Sequence, residues 1–551
     1  MKSYTKILLH FKNFFTTTNQ GFIFLVFFFY FLFSSNHIFF GGIFYDDWSL
    51  SVGYVNEGTL KSKLNDFVGL TYLTRPIGGL YLSFLTEIKK IDHIYILINS
   101  TLWLISSFFV QYSFSNILSQ KSRNIIFLLI LFPSFASTII FSPVTQSLGV
   151  LAIFFWSISL YYSSKKNIWA TIFYFLLSVL SYEISIVLLF INIFFFIFNE
   201  NHKKILPTFF KFFSLFFIIV IGIIIFQNLI ANYIGHTKTL KYAFWFENQT
   251  LYFEKDFLIY IKKYFFKPIE LIFLDIPKLF FNSINYLDLS LINSLYIILY
   301  LFLIYFSYQN KIKIDIETKS FLILIFFLIL SSIGVFLVYL IVTSVPQING
   351  YYNRGLASLF VCFSIIIALF NEINFKKKII ETLKNFFVIL ILLLNFLSFL
   401  TQQQNHIKAD KERNFIINKF ENFFKDKSNE SLVFTLIPTF LKNNYNDEFI
   451  FSEEVEDLFF AIRYFTNKKV TAKRIYADNK CQNIINIKQG KITGLVPSKN
   501  RKILEKQTAI FINDVNEKID LYLYANSEFI KLSYDNYINN DIINNFLKCQ
   551  N

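Results

Sequence analysis

The sequence is poor in residues that bridge or bend a chain. Cysteine occurs three times in 551 residues, as Cys362, Cys481 and Cys549, too far apart for a metal-ligand spacing or a disulfide framework. Cys362 lies in an apolar block and reads as packing. Cys481 and Cys549 can pair only in an oxidising compartment. Glycine and proline are scarce, at 16 and 9 residues. There is no internal repeat, no low-complexity linker and no nucleotide-binding motif. Charged residues make up only 16% of the chain, too few for the charged surface a soluble protein of this size needs.

What fills the sequence is apolar. Hydrophobic residues reach 54% and the mean hydropathy is +0.48. They come in blocks of about 17–25 residues, the length that crosses a hydrocarbon core about 30 Å thick. Phenylalanine is extreme at 75 residues. With heavy Ile, Asn and Lys, that is the signature of drifted amino-acid usage in an AT-rich genome, and it is no evidence of aromatic binding sites. The net charge of +15 does not signal nucleic acid. Much of the excess sits in short lysine clusters between apolar blocks, which is how membrane topology is encoded. The bilayer is the expected partner.

Residues 1–20 carry Lys2, Lys6 and Lys12 before the apolar run Gly21–Phe40. That run is long for a signal peptide and lacks a small-residue cleavage site, so it reads as a retained anchor with a cytoplasmic N-terminus. Further apolar blocks fall near 93–114, 124–141, 146–163, 168–182, 184–199, 205–227, 286–307, 320–343, 354–371 and 383–400. The basic clusters are Lys121/Arg123, Lys165/Lys166, Lys203/Lys204, Lys311/Lys313 and Lys376–Lys378. If all are cytoplasmic, an even number of crossings separates neighbouring clusters.

That parity decides the stretch Asn167–Asn199. As one helix of about 33 residues it would run about 50 Å and place its flanking clusters on opposite sides. Two short helices are expected instead, turning near Ser181-Tyr182-Glu183. The resulting fold is an all-α polytopic membrane protein of about eleven transmembrane helices over residues 1–400. Its long outer loops lie near 41–92 and 228–285. The tail 401–551 is more polar. Strand-like runs at Ser431–Ile437, Thr508–Ile512 and Leu521–Tyr524 alternate with helix-like stretches such as Asp410–Phe424. It is expected to form a small α/β extracytoplasmic domain.

Charge at bilayer depth is costly and needs a partner or a wet cavity. The singular charges gather on the outer side of this map. Asp46 and Asp47 follow the first span at once, in Phe44-Tyr45-Asp46-Asp47-Trp48. Two adjacent carboxylates raise the proton affinity of one, which suits a general base, although a solvated helix end has the same look. Arg75 precedes Pro76, which favours a helix start, and a cation there makes an anion pocket; an interfacial arginine snorkelling to headgroups is the plain alternative. Glu183 sits at the proposed turn, and Arg354 where a late helix re-enters. His37 and His236, also outer, read as neither ligand nor catalyst.

An N-terminal span followed by Tyr45-Asp46-Asp47-Trp48, with Arg75-Pro76 some thirty residues on, resembles the GT-C superfamily of polytopic membrane glycosyltransferases. Within it the chain is most similar to the bacterial O-antigen glucosyltransferase type. Ser181-Tyr182-Glu183 and Arg354 also look like family features, and the resemblance covers residues 20–400. It implies a polyprenyl-phosphate-linked sugar donor, a glycan or lipid acceptor, inverting chemistry at the outer face, and an inner-membrane location in a bacterium. Carried over to this chain, Asp46 or Asp47 is the catalytic base. Arg75 and Arg354 hold the donor phosphate. Trp48, Tyr182 and Glu183 bind sugar or acceptor. No cofactor is required; two acids can hold a divalent cation, although no full ligand set is visible. A lipid-linked glycan flippase is the competing class, but it predicts charges through the helix centres. A glycan polymerase or ligase is another, with Glu247, Glu254 and Asp256 in the middle loop as its acids.

Overall fold

The computed structural model describes residues 19–40, 75–87, 92–141, 147–198, 202–233, 266–309, 318–342, 348 and 355–427, with isolated strands between 430 and 531. Asp46, Asp47, Trp48, Arg354, His236, Cys481, Cys549 and the run Thr508–Ile512 lie outside them. The chain divides into two compact units, with the helical series parting between Ile407 and Lys408.

In chain order the helices are α1 (Asn19–Phe40), α2 (Pro76–Glu87), α3 (Asp92–Ser113), α4 (Gln120–Leu131), α5 (Thr138–Phe141), α6 (Ser147–Ser164), α7 (Ile168–Ser181), α8 (Leu189–Ile197), α9 (His202–Tyr233), α10 (Lys267–Glu270), α11 (Ile276–Tyr286), α12 (Leu291–Gln309), α13 (Thr318–Val342), α14 (Ala357–Glu372) and α15 (Lys378–Phe424). Among the described residues, five helices are long and apolar enough to cross a membrane: α1, α3, α12, α13 and α15. Shorter apolar helices fill four further blocks, at 148–164, 168–181, 183–197 and 357–372. The first unit is a helical membrane protein.

Within the stretch 167–199 the chain reverses. Asn167 caps α7 by accepting from the Ala170 N–H, and α7 ends at Ser181, where Tyr182 turns extended. A 3-10 segment, Glu183–Leu188, then leads into α8. The two ends of this hairpin meet: the Lys166 ammonium donates to the carbonyls of Phe196 and Phe198, both at 3.0 Å. A cation on the last carbonyls of a helix satisfies orphan acceptors and complements its dipole. Inside the fold Asn192 ties α8 to α6. It accepts from Trp156 Nε1 at 2.8 Å and donates to the Ser159 and Ser163 hydroxyls.

The apolar block 124–141 is not one helix. Pro133 follows α4, and a 3-10 turn, Ser134–Ala136, separates it from α5. Proline has no N–H to give and disfavours helix in the residue before it. Broken backbone at this depth must find partners within the protein. Here α15 supplies them. Asn395 donates to the Phe132 carbonyl at 2.8 Å and accepts from the Ser134 hydroxyl at 2.6 Å. Gln402 donates to the Ser134 carbonyl and accepts from the Ser137 hydroxyl. Both amides are fully buried. Around them the phenylalanines pack as core: Phe132 meets Phe396 at 4.9 Å and Phe399 at 5.2 Å between ring centroids.

Lysines collect at one end of these helices. Lys121 donates to Asn385 Oδ1 at 2.9 Å and lies 3.8 Å from the Tyr308 ring centroid. Ser119, the cap of α4, donates through its N–H to Glu372 at the end of α14. The ring of Phe114 meets that of Phe195 at the end of α8. Lys165 lies near Tyr112, and Lys384 donates to the Asn371 and Ile373 carbonyls.

In the second unit, β1 (Glu430–Thr435) lies parallel to both β4 (Val470–Arg474) and β7 (Ile519–Ala525), while β8 (Glu528–Lys531) returns antiparallel to β7. The sheet order is β4-β1-β7-β8; β2 (Phe440–Leu441) pairs with β3 (Glu448–Phe449), and β5 (Ile485–Lys488) pairs antiparallel with β6 (Lys491–Gly494). Val433 stands opposite Ala472 on one side and Tyr522 on the other. Phe529 of β8 stacks on Phe423 at 3.9 Å, at the end of α15. The predicted helix at 410–424 is thus the end of a much longer one, which passes residue 400 without a break.

Candidate functional site

Three of the candidate residues fall among the described ones, and the fold brings all three together. Arg75 stands before α2. Its carbonyl accepts from the Gly79 N–H at 2.8 Å, with Pro76 as the first helical residue. Proline suits that position because the N–H it lacks would have no partner there. The Arg75 side chain reaches 108 residues along the chain to Glu183. Nε donates to Oε2 at 2.8 Å and one terminal nitrogen donates to Oε1 at 3.0 Å. This is the two-pronged guanidinium–carboxylate geometry, which fixes orientation as well as charge.

Tyr182 adds the third side. Its ring lies 4.3 Å from the guanidinium carbon, within cation–π range. Its extended backbone, at φ −165° and ψ 138°, ends α7 and turns the aromatic ring and the next residue toward α2. The ionic side chains are only 13% and 16% exposed, so the pair is largely withdrawn from water. A pair so placed is screened far less than one at a surface.

Two small residues explain how the partners get so close. A Cβ on Gly78 would stand 2.5 Å from the Ser181 carbonyl oxygen and 2.8 Å from Leu148. Only glycine lets the first turn of α2 lie directly on the end of α7. The turn after Glu183 is held in turn by α14, where Ser358 donates to the Ile184 carbonyl at 2.5 Å. Sequence reading singled out neither residue as part of the site. Gly78 lies three residues after Arg75, and Ser358 carries no local signal in the sequence.

Gly78→Val is expected to push α2 off the Ser181 carbonyl, break the Arg75–Glu183 contact and lower stability by about 2 kcal/mol through overpacking. Thermal unfolding in detergent checks this, and an unchanged midpoint would count against the close packing.

α7 carries the Arg75–Glu183 pair at one end and Lys166 at the other. Its 14 residues set the two apart by about 21 Å. The pair therefore sits at the end of the helices opposite the lysines.

The Asp46–Asp47 pair, Trp48 and Arg354 cannot be placed against it, because they fall outside the described residues. Among the described residues no three His, Cys, Asp or Glu side chains gather as metal ligands. His37 is buried with its ring 4.5 Å from Phe141 and 6.4 Å from His406.

The arrangement can do one thing clearly: it presents a rigid, oriented guanidinium at the end of a helical membrane unit. Sequence reading gave Arg75 to a phosphate and Glu183 to a sugar hydroxyl. The structure shows Glu183 spending both oxygens on Arg75. No family model matches the chain, and comparison with curated proteins and with solved structures finds no match.

Proposed function

We propose that the chain is a membrane glycosyltransferase. It moves a sugar from a polyprenyl-phosphate carrier to a cell-surface glycan or lipid acceptor at the outer face of a bacterial inner membrane. In this reading about eleven helices span the bilayer from a cytoplasmic N-terminus. The lysine end faces the cytoplasm, and the strands beyond residue 430 belong to a small α/β extracytoplasmic domain. The observation that carries the proposal is the oriented Arg75 guanidinium, locked by Glu183 and Tyr182 at the end away from the lysines. A planar fork of donors suits a phosphate oxygen better than a mobile ammonium does.

The chemistry follows from charge. A carboxylate of Asp46 or Asp47 takes the proton of the acceptor hydroxyl. That oxygen attacks the anomeric carbon from the face opposite the phosphate, and the bond from carbon to phosphate oxygen breaks. The configuration inverts, and the electron pair leaves on the lipid phosphate. Arg75 and Arg354 stabilise the charge that develops there. Glu183 acts as a positioning residue, holding Arg75 in plane. Trp48 and Tyr182 offer aromatic faces to the sugar.

The test uses membranes carrying the chain, a radiolabelled polyprenyl-phosphate sugar and cellular glycan. Label should pass to glycan, and Asp46→Asn or Asp47→Asn should cut the rate about 10²-fold, the usual worth of a general base. Undiminished transfer in both variants would remove the base from the mechanism. No transfer by the native chain would favour a flippase.

A further inference from the structure

Lys376, Lys377 and Lys378 stand together just where α15 begins, and all three are exposed. The nearby carboxylates are already engaged. Glu381 pairs with Lys384 at 2.7 Å, and Glu372 takes the N–H and hydroxyl of Ser119. The triplet's charge is therefore not cancelled by those neighbours. Immediately after it, one face of α15 is apolar and open: Ile379 is 77% exposed, Leu383 60% and Phe386 63%, with Ile380 and Phe387 alongside. These positions follow helical spacing. The opposite side, with Lys384, Val388 and Leu392, is buried.

A row of cations on the rim of an exposed hydrocarbon-loving stripe matches a phospholipid, with an acidic headgroup on the lysines and chains along the stripe. We infer that this face of α15 is a binding site for an anionic phospholipid of the leaflet at the lysine end. A zwitterionic lipid satisfies the stripe but not the triplet. Each lysine near a headgroup surface strengthens binding about fivefold, so three together are worth on the order of a hundredfold. Salt weakens such contacts within a Debye length. The inference stands apart from sugar transfer, since it uses none of the residues at the Arg75 end.

The test is equilibrium binding of fluorescent phosphatidylglycerol and fluorescent phosphatidylcholine to the full chain in a neutral detergent. Phosphatidylglycerol should bind the tighter of the two, more weakly as salt is raised. The triple variant Lys376→Gln, Lys377→Gln, Lys378→Gln should lose about a hundredfold in phosphatidylglycerol affinity and little for phosphatidylcholine. Its lysines are exposed, so its unfolding midpoint should not move. A control at the same end of the helices, Lys165→Gln with Lys204→Gln, should leave the affinity nearly unchanged. Equal affinity of the native chain for the two lipids overturns the site. So does an equal loss in the control, which would mean diffuse attraction. A stable dimer in lipid-free detergent that Phe386→Lys dissociates would give the face to a second copy of the chain and overturn it too.

Discussion

Replacing Arg75 with alanine is expected to cut sugar transfer on the order of 10³-fold, the upper range for removing one preorganised donor from a developing anion. The loss comes from two sources. The phosphate loses its oriented partner, and Glu183 is left as a withdrawn carboxylate facing it, so repulsion replaces attraction. Arg75→Lys should rescue little, because an ammonium cannot span both oxygens of Glu183 and still face a phosphate. Glu183→Gln should cost less, about 10-fold, since the guanidinium keeps its charge and loses only its alignment. If Glu183 instead touched the substrate, its variant would change KM and leave the Arg75 effect additive. A positioning role makes the two effects overlap, and the double variant, which also removes the stranded carboxylate, should be no worse than Arg75→Ala alone. Additive losses would refute the positioning role. Full activity in Arg75→Ala would end the phosphate assignment.

Asn395→Leu should be the most damaging change away from that end. The replacement keeps the number and branching of side-chain heavy atoms and adds apolar surface, which alone favours a membrane interior. Yet it strands the Phe132 carbonyl and the Ser134 hydroxyl where the chain has broken its own ladder. Unpaired polar groups in hydrocarbon cost more than a hydrogen bond normally gains. A loss of about 2–4 kcal/mol follows, readable as a lowered midpoint in detergent unfolding. Asn385→Leu serves as control, because its partner Lys121 retains the Tyr308 ring and stays partly in contact with water. Equal losses in both would mean that burial of the broken segment is not what matters.

Several features of the helical unit were readable because they follow from local physics. The reversal at Ser181-Tyr182-Glu183 came from parity between lysine clusters, and the structure closes it with Lys166 on the last carbonyls of α8. The helix start at Pro76 came from the geometry of proline. What hydropathy missed depended on partners far along the chain. The break near Pro133 is tolerable only because Asn395 and Gln402 arrive from more than 250 residues away. The single apolar block 124–141 could not reveal that. The continuation of α15 through Phe424 was hidden because polarity rises along it while helical propensity persists. At the candidate site, each charge was visible alone, and the Arg75–Glu183 pairing was not, since nothing in either segment names the other.

The distance between those two residues in sequence also sets an order of assembly. α2 has 12 residues and reaches about 18 Å, short of the hydrocarbon thickness, so it cannot settle as an independent span. Its seat, the end of α7, and its ionic partner are translated 108 residues later. Until they are made, the guanidinium has neither its carboxylate nor its seat. The docking of α2 is therefore a late event, a latch that shuts once the following hairpin has been threaded.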